Sequence, residues 1–131
     1  MTTRYDNIFF LDIFNKILKV NNNDISLLYD KDGELWFGYK DILISLGYSD
    51  IQRAKVNFNL DKNNIRQNSQ IKGWTSVHPL ANTQPHKTFI NESGLYQILS
   101  KSTKSLARVF MDKYFSDIIA SNSKKWQIYY G

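Results

Sequence analysis

The sequence predicts an α+β fold, a small antiparallel β-hairpin or sheet packed with several short helices and a longer C-terminal helix. Three observations carry that expectation. Ile25 to Tyr29 and Glu34 to Phe37 are short β-branched or aromatic runs, and Asp30-Lys31-Asp32-Gly33 stands between them. The aspartates offer local side-chain bonds and the glycine a positive φ, so the three pieces read as a hairpin. Directly after it, Tyr39 to Leu46 sets Ile42, Leu43 and Leu46 at helical spacing. The last third then repeats a helical period, with Leu95, Ile98 and Leu99 first and Leu106, Val109, Phe110, Phe115, Ile118 and Ile119 after them.

Taken in order, Arg4 to Val20 reads as a helix with a wide apolar sector, Phe9, Ile13, Ile17 and Val20 beside Phe10, Phe14 and Leu18. Asn21 to Asn23 end it, because Asn tolerates turn conformations and competes for backbone bonds. The hairpin and the Tyr39 to Leu46 helix come next, the helix stopping at a Gly47 C-cap. A second short helix begins near Ser49 or Asp50, whose side chain can cap Arg53, and runs to Asn57 or Phe58. Asp61 to Gln70 has few apolar anchors and reads as a helical turn or an exposed loop. Gly73 to Val77 and Lys87 to Ile90 read as strands that can pair antiparallel across a loop framed by Pro79 and Pro85. Asn91 is the N-cap of a helix reaching Lys101, and Ser102 or Thr103 caps a longer one through Ala120. The ending Trp126, Ile128, Tyr129 and Tyr130 suits a strand or a docking segment.

At 131 residues the chain suits one domain over 1–131. Within it lie a helical extension at 1–24, a core at 25–121 and a tail at 122–131 that can lead to an absent domain. Apolar residues at 42% and charged residues at 22% suit a globular chain rather than a disordered one. No apolar run is long enough to span a membrane, and the N-terminus lacks the pattern of a signal peptide. With 0 cysteines, disulfide scaffolds, thiol nucleophiles and Cys-type zinc sites are excluded.

Nothing in the chain suits catalysis. There is no nucleophile elbow, phosphate-cradling glycine loop or dinucleotide fingerprint. His78 and His86 flank a proline-containing loop and lack a third ligand, so they read as surface histidines. Asp30, Asp32 and Glu34 read as turn chemistry rather than a hard-metal site. The expectation is a non-enzyme with no cofactor and no small-molecule substrate.

Charge is more informative. Residues 1–50 hold 5 Lys/Arg against 8 Asp/Glu, whereas residues 51–131 hold 12 against 4, and the whole chain is +5. An asymmetry of this kind points to a basic face and an anionic partner. Lys101, Lys104 and Arg108 fall at intervals of three and four residues across a helix–turn–helix junction, which suits phosphate contact. Arg53, Lys55 and Gln52 form a second group on the short helix. The planar fork of Arg53 matches a guanine edge, and Gln52 and Asn57 can reach adenine. Trp36 and Phe37, adjacent on a strand, point to opposite faces, with at least one of them in the core.

Two separated blocks carry a family likeness. Asp32-Gly33-Glu34-Leu35-Trp36-Phe37, Lys40-Asp41-Ile42 and Leu46-Gly47-Tyr48 resemble the opening of the BRO amino-terminal domain of large DNA viruses and phage antirepressor-like proteins. Phe89-Ile90-Asn91-Glu92-Ser93-Gly94-Leu95-Tyr96 resembles its most specific signature. Ser102 through Ala107, with Phe110, resemble the basic, Ser-containing turn and helix that the family places after that signature. The resemblance implies a small α+β DNA-binding module at the front of a longer regulatory protein, acting inside the host cell, in its cytoplasm or nucleus. It makes Lys101, Lys104, Arg108, Arg53 and Lys55 the nearest equivalents of a phosphate-contacting surface. The chain departs from the pattern after Phe110, where Met111-Asp112-Lys113-Tyr114-Phe115 replaces the usual tryptophan and no proline ends the helix. Asp112 and Asp117 also place negative charge on that helix.

The expected function is a DNA-binding module without catalysis, contacting the phosphate backbone through the basic C-terminal helix pair, with duplex or single-stranded DNA as partner. The alternative is a protein-interaction or homo-oligomerisation module, a homodimer among its forms, that uses the N-terminal aromatic helix and the C-terminal aromatic tail.

Overall fold

The computed structural model describes residues 25–76, 84–113 and 116. The expected helix at 4–20, the tail at 122–131 and His78 lie outside the described residues, and with them the surfaces of the interaction-module alternative.

The fold is α+β. Five antiparallel strands, β1 (Leu27–Tyr29), β2 (Leu35–Gly38), β3 (Ile65–Gln67), β4 (Thr75–Ser76) and β5 (Thr88–Asn91), form one sheet in the order β3-β5-β2-β1-β4. Around the sheet run helices α1 (Tyr39–Leu46), α2 (Ile51–Phe58) and α3 (Glu92–Lys101), and a further helix, α4, covers 105–113.

The hairpin forms where its turn residues require it. Asp30 Oδ1 accepts the amides of Asp32 and Glu34, both at 2.9 Å, and Gly33 takes φ 81° to close the reversal. Register then comes from alternation. Leu27 pairs with Phe37, Phe37 with Ile90 and Ile90 with Ile65, so one apolar row crosses four strands. That row joins Leu43, Leu46, Phe58, Leu95, Ile98 and Phe110 in the main core between sheet and helices. Leu28, Trp36 and Phe89 occupy the other face, where Ile71 covers them. Trp36 and Phe37 thus do point to opposite faces, and both are buried.

Two strand expectations are corrected. The 61–70 segment is neither a lone helical turn nor an exposed loop: β3 lies between two 3₁₀ turns and forms the sheet edge beside β5. Ile65 is its one inward anchor, while Arg66 and Gln67 face solvent, so its alternation is too short to show in the sequence. Strand β4 does not pair with β5 across the proline loop. It pairs with β1, at Leu28↔Ser76 and Tyr29↔Thr75, because β5 is already bonded on both edges by β2 and β3.

The caps fall as expected. Gly47 takes φ 103° at the end of α1, Asp50 Oδ1 accepts the Arg53 amide at 3.2 Å, and Asn91 Oδ1 accepts the Gly94 amide at 2.9 Å. A side chain at Gly94 would meet the Asn64 carbonyl at 3.3 Å, so the glycine lets the 62–64 turn sit against α3.

Candidate nucleic-acid interface

Helices α1 and α2 are each 8 residues long and joined by Gly47-Tyr48-Ser49-Asp50. The turn is set by hydrogen bonds from the Gly47 amide to the Ile44 carbonyl and from the Tyr48 amide to the Leu43 carbonyl, both 3.0 Å. Ala54 and Phe58 bury the inner stripe of α2, with Ile51 packed beside them. The outward stripe is therefore Gln52, Arg53, Val56 and Asn57, all exposed, and Val56 is 75% accessible. Helices α3 and α4 repeat the arrangement around the turn 102–104.

The two turns meet. The Tyr48 and Ser102 hydroxyls are 2.7 Å apart, and the Ser102 hydroxyl also accepts the Lys104 amide at 3.2 Å. Lys104 Nζ lies 4.9 Å from the centre of the Tyr48 ring, and Phe58 meets that ring edge-on at 5.6 Å.

The candidate residues divide between these two helix pairs. Gln52 and Arg53 are exposed on the outer stripe of α2. Lys55 is half-buried, with Nζ 5.0 Å above the Tyr39 ring. Burial, and then the charge of nearby Lys40, hold the Lys55 ammonium below the usual lysine range. Lys101 is exposed at the end of α3, and Arg108 is exposed one helical turn beyond Lys104, whose carbonyl accepts the Arg108 amide. Lys104 itself is half-buried at the junction of the turns rather than fully extended beside Lys101 and Arg108. Among the described residues, Arg53, Lys101, Lys104 and Arg108 form no ion pair with a carboxylate. Lys40 escapes a reading of the sequence, because its nearness to Lys55 is tertiary and leaves no local signal.

On the hairpin side the charges are mixed, with Lys31, Arg66 and Lys72 among the carboxylates. The hairpin end carries Asp30, Asp32 and Glu34, and burial followed by the Asp30 charge pushes the Glu34 carboxyl up. A recess of about 280 Å³ on that side is lined by Asp30, Trp36, Arg66 and Gln70 among others. Trp36 donates its indole N–H to Asp30 at 3.1 Å and lies under the Arg66 guanidinium at 5.4 Å. Trp36 is closed to stacking on a base. Among the described residues no group of three His, Cys, Asp or Glu could hold a metal ion, and no helix is long and apolar enough to cross a membrane.

The sequence model of the BRO family, N-terminal domain, matches residues 24–120. This chain belongs to the BRO family. The match takes in both pairs of helices and every strand of the sheet. At family level, the match associates the chain with BRO amino-terminal and antirepressor-like regulatory domains of viral proteins, a non-catalytic class. An uncharacterized protein of Haemophilus influenzae (strain ATCC 51907 / DSM 11121 / KW20 / Rd) is 28% identical over 106 residues, covering 79% of this chain and 48% of that protein. The BRO chain thus spans about half the length of this curated relative. No solved structure matches it.

Proposed function

We propose that this BRO domain is the DNA-binding module of a viral regulatory protein that works inside the host cell and grips the phosphate backbone without catalysing a reaction. The observation that carries the reading is the junction of the two interhelical turns. Lys104 is fixed there on Tyr48, Lys101 ends the helix before the turn, Arg108 lies on the helix after it, and none of the three is neutralised by a carboxylate among the described residues. Cations left unpaired on a folded surface gain most from an anion that arrives with many charges, as a nucleic acid does. Arg53, Lys55 and Gln52 extend the surface along α2. The departure at Asp112 limits it, because a carboxylate on the second turn of α4 keeps the phosphates near the first.

The test is a titration of the chain with labelled duplex and single-stranded DNA at two salt concentrations. About three phosphate contacts make affinity fall roughly 40-fold between about 50 and about 200 mM salt. The triple variant Lys101→Gln, Lys104→Met, Arg108→Gln should bind more weakly and with a flatter salt slope. The Met at 104 keeps the stem that packs on Tyr48, so the fold is retained. Unchanged affinity and slope in this variant would remove the surface from consideration.

A further inference from the structure

We propose that α2 is the base-reading helix of a helix–turn–helix pair formed with α1, lying in the major groove of duplex DNA with Gln52, Arg53, Val56 and Asn57 against the base edges. This inference rests on the DNA-binding reading above and goes beyond backbone contact to groove, strand state and sequence selectivity.

Geometry comes first. With its side chains an α-helix is about 10–12 Å across, matching the roughly 12 Å width of the major groove. From Gln52 to Asn57 the rise is about 7.5 Å, enough to face two or three base pairs. Both ends of α2 are fixed. Asp50 caps the start, and Asn59, at φ 46°, turns the chain so that Leu60 returns to the core. Ala54 and Phe58 lock the rotation of the helix about its axis, so the outer stripe is presented in one orientation.

The chemistry of the stripe is that of a reader. Arg53 supplies a planar fork for guanine O6 and N7, and Gln52 and Asn57 each supply a donor–acceptor pair for adenine N6 and N7. Val56 is a β-branched apolar side chain, 75% accessible, in the middle of this polar stripe. On a merely solvated helix face it brings neither helix propensity nor hydration. Against the thymine methyl it supplies the apolar contact that the three polar neighbours lack. Besides Arg53 within the stripe, further cations flank it. Lys55 and Lys40 lie on one side, and Lys104 stands at the turn before the helix. Asp50 is the acidic residue nearest the stripe along the chain, and its carboxylate is engaged in capping. Flanking positive charge around a polar centre that carries the Arg53 fork is complementary to a groove walled by phosphates and floored by base edges.

The same surface argues for a duplex over a single strand. Unpaired bases are held by exposed aromatic platforms. Here the Tyr39 ring is buried beneath Lys55, and the Tyr48 ring is engaged by Lys104 and Phe58.

The test is selection of binding sites from random-sequence duplexes by the 131-residue chain, repeated with Arg53→Ala, with Val56→Ser and with the pair Lys101→Gln, Arg108→Gln. The parent chain should enrich a short core of two or three base pairs. Arg53→Ala should lose about 10-fold to 100-fold of the discrimination at one guanine, and Val56→Ser should relax a thymine, both with bulk affinity largely retained. The Lys101 and Arg108 pair should weaken all sequences alike. Because the substituted side chains are exposed, circular dichroism should show each variant folded. DNA binding with no enriched core, or a core unchanged by both α2 variants, would overturn base reading while leaving the DNA-binding module standing. Failure of the parent chain to bind any DNA would overturn both. Binding confined to single strands would overturn the duplex assignment.

Discussion

The hydroxyls of Tyr48 and Ser102, 54 residues apart in sequence, lie 2.7 Å from each other and fasten the α1–α2 turn to the α3–α4 turn. Ser102 has a second task, since its oxygen also accepts the Lys104 amide at the start of α4. Tyr48→Phe removes one hydrogen bond and should cost about 0.5–1.5 kcal/mol. Ser102→Ala removes two and should cost more. In a double-mutant cycle read by urea denaturation, the shared bond should appear as a coupling that the Lys104 amide does not contribute to. Additive losses would show that the hydroxyls act independently.

A second fastening holds the hairpin to α1. Asp41 Oδ2 accepts the Ser26 amide at 3.0 Å and pairs with Lys87 Nζ at 3.0 Å, while Lys87 also donates to the Ser26 hydroxyl at 2.8 Å. A side chain at Gly38 would run into the Asp41 carboxylate, which these bonds hold in place. Gly38→Ala should therefore destabilise the domain by about 1–3 kcal/mol, as loss of a partly buried hydrogen-bonded carboxylate does. Asp41→Ala should cost a similar amount. Adding Gly38→Ala to Asp41→Ala should cost little more, because the clash partner is gone, and thermal unfolding of the four proteins checks this.

The Tyr39 hydroxyl is buried and has no hydrogen-bond partner among the described residues, and burial pushes its pKa up to about 12. In the unfolded chain the phenol ionises near 10, so the folded state holds the proton more tightly. The contribution of this group is fully present below about pH 10 and is lost as pH rises toward about 12. Tyr39→Phe removes an unsatisfied polar atom and keeps the ring under Lys55, so it should be neutral or stabilising by up to about 1 kcal/mol near pH 7. It should also flatten the alkaline fall in stability, by an amount on the order of 2–3 kcal/mol across that window. A parallel fall in both proteins would show that burial does not hold the phenol's proton more tightly in the folded state.

Short-range chemistry decides which parts of this fold are legible in the chain. Asp30 bonds amides two and four residues on, Asp50 and Asn91 each cap three residues on, and Gly47 supplies its own left-handed backbone, so these features declare themselves locally. The partner of β4 is not legible, because it depends on β5 being occupied on both edges, a fact distributed over four strands. The candidate site divides in the same way. Gln52, Arg53, Lys55, Lys101, Lys104 and Arg108 are visible as residue types at helical spacing. That Lys104 settles on Tyr48, and that Lys40 stands close enough to affect Lys55, are consequences of packing. Val56 becomes informative only when Ala54 and Phe58 are known to face inward.

Lys55 also gives the proposed interface a pH signature. Its ammonium is held below the usual lysine range first by burial and then by Lys40, so the free domain surrenders this proton earlier than an exposed lysine would. A phosphate brought beside it favours the charged form and raises its pKa in the complex. Binding is then linked to proton uptake once pH passes the depressed free-state pKa, and affinity falls as pH rises through that value. Arginine at this position stays protonated throughout. Titrations of one duplex from about pH 7 to about pH 10 should show a steeper loss of affinity for the parent chain than for Lys55→Arg. The same DNA in both series cancels any titration of the bases. Identical pH profiles would place Lys55 away from the phosphates and leave the contact to Lys101, Lys104, Arg108 and the outer stripe of α2.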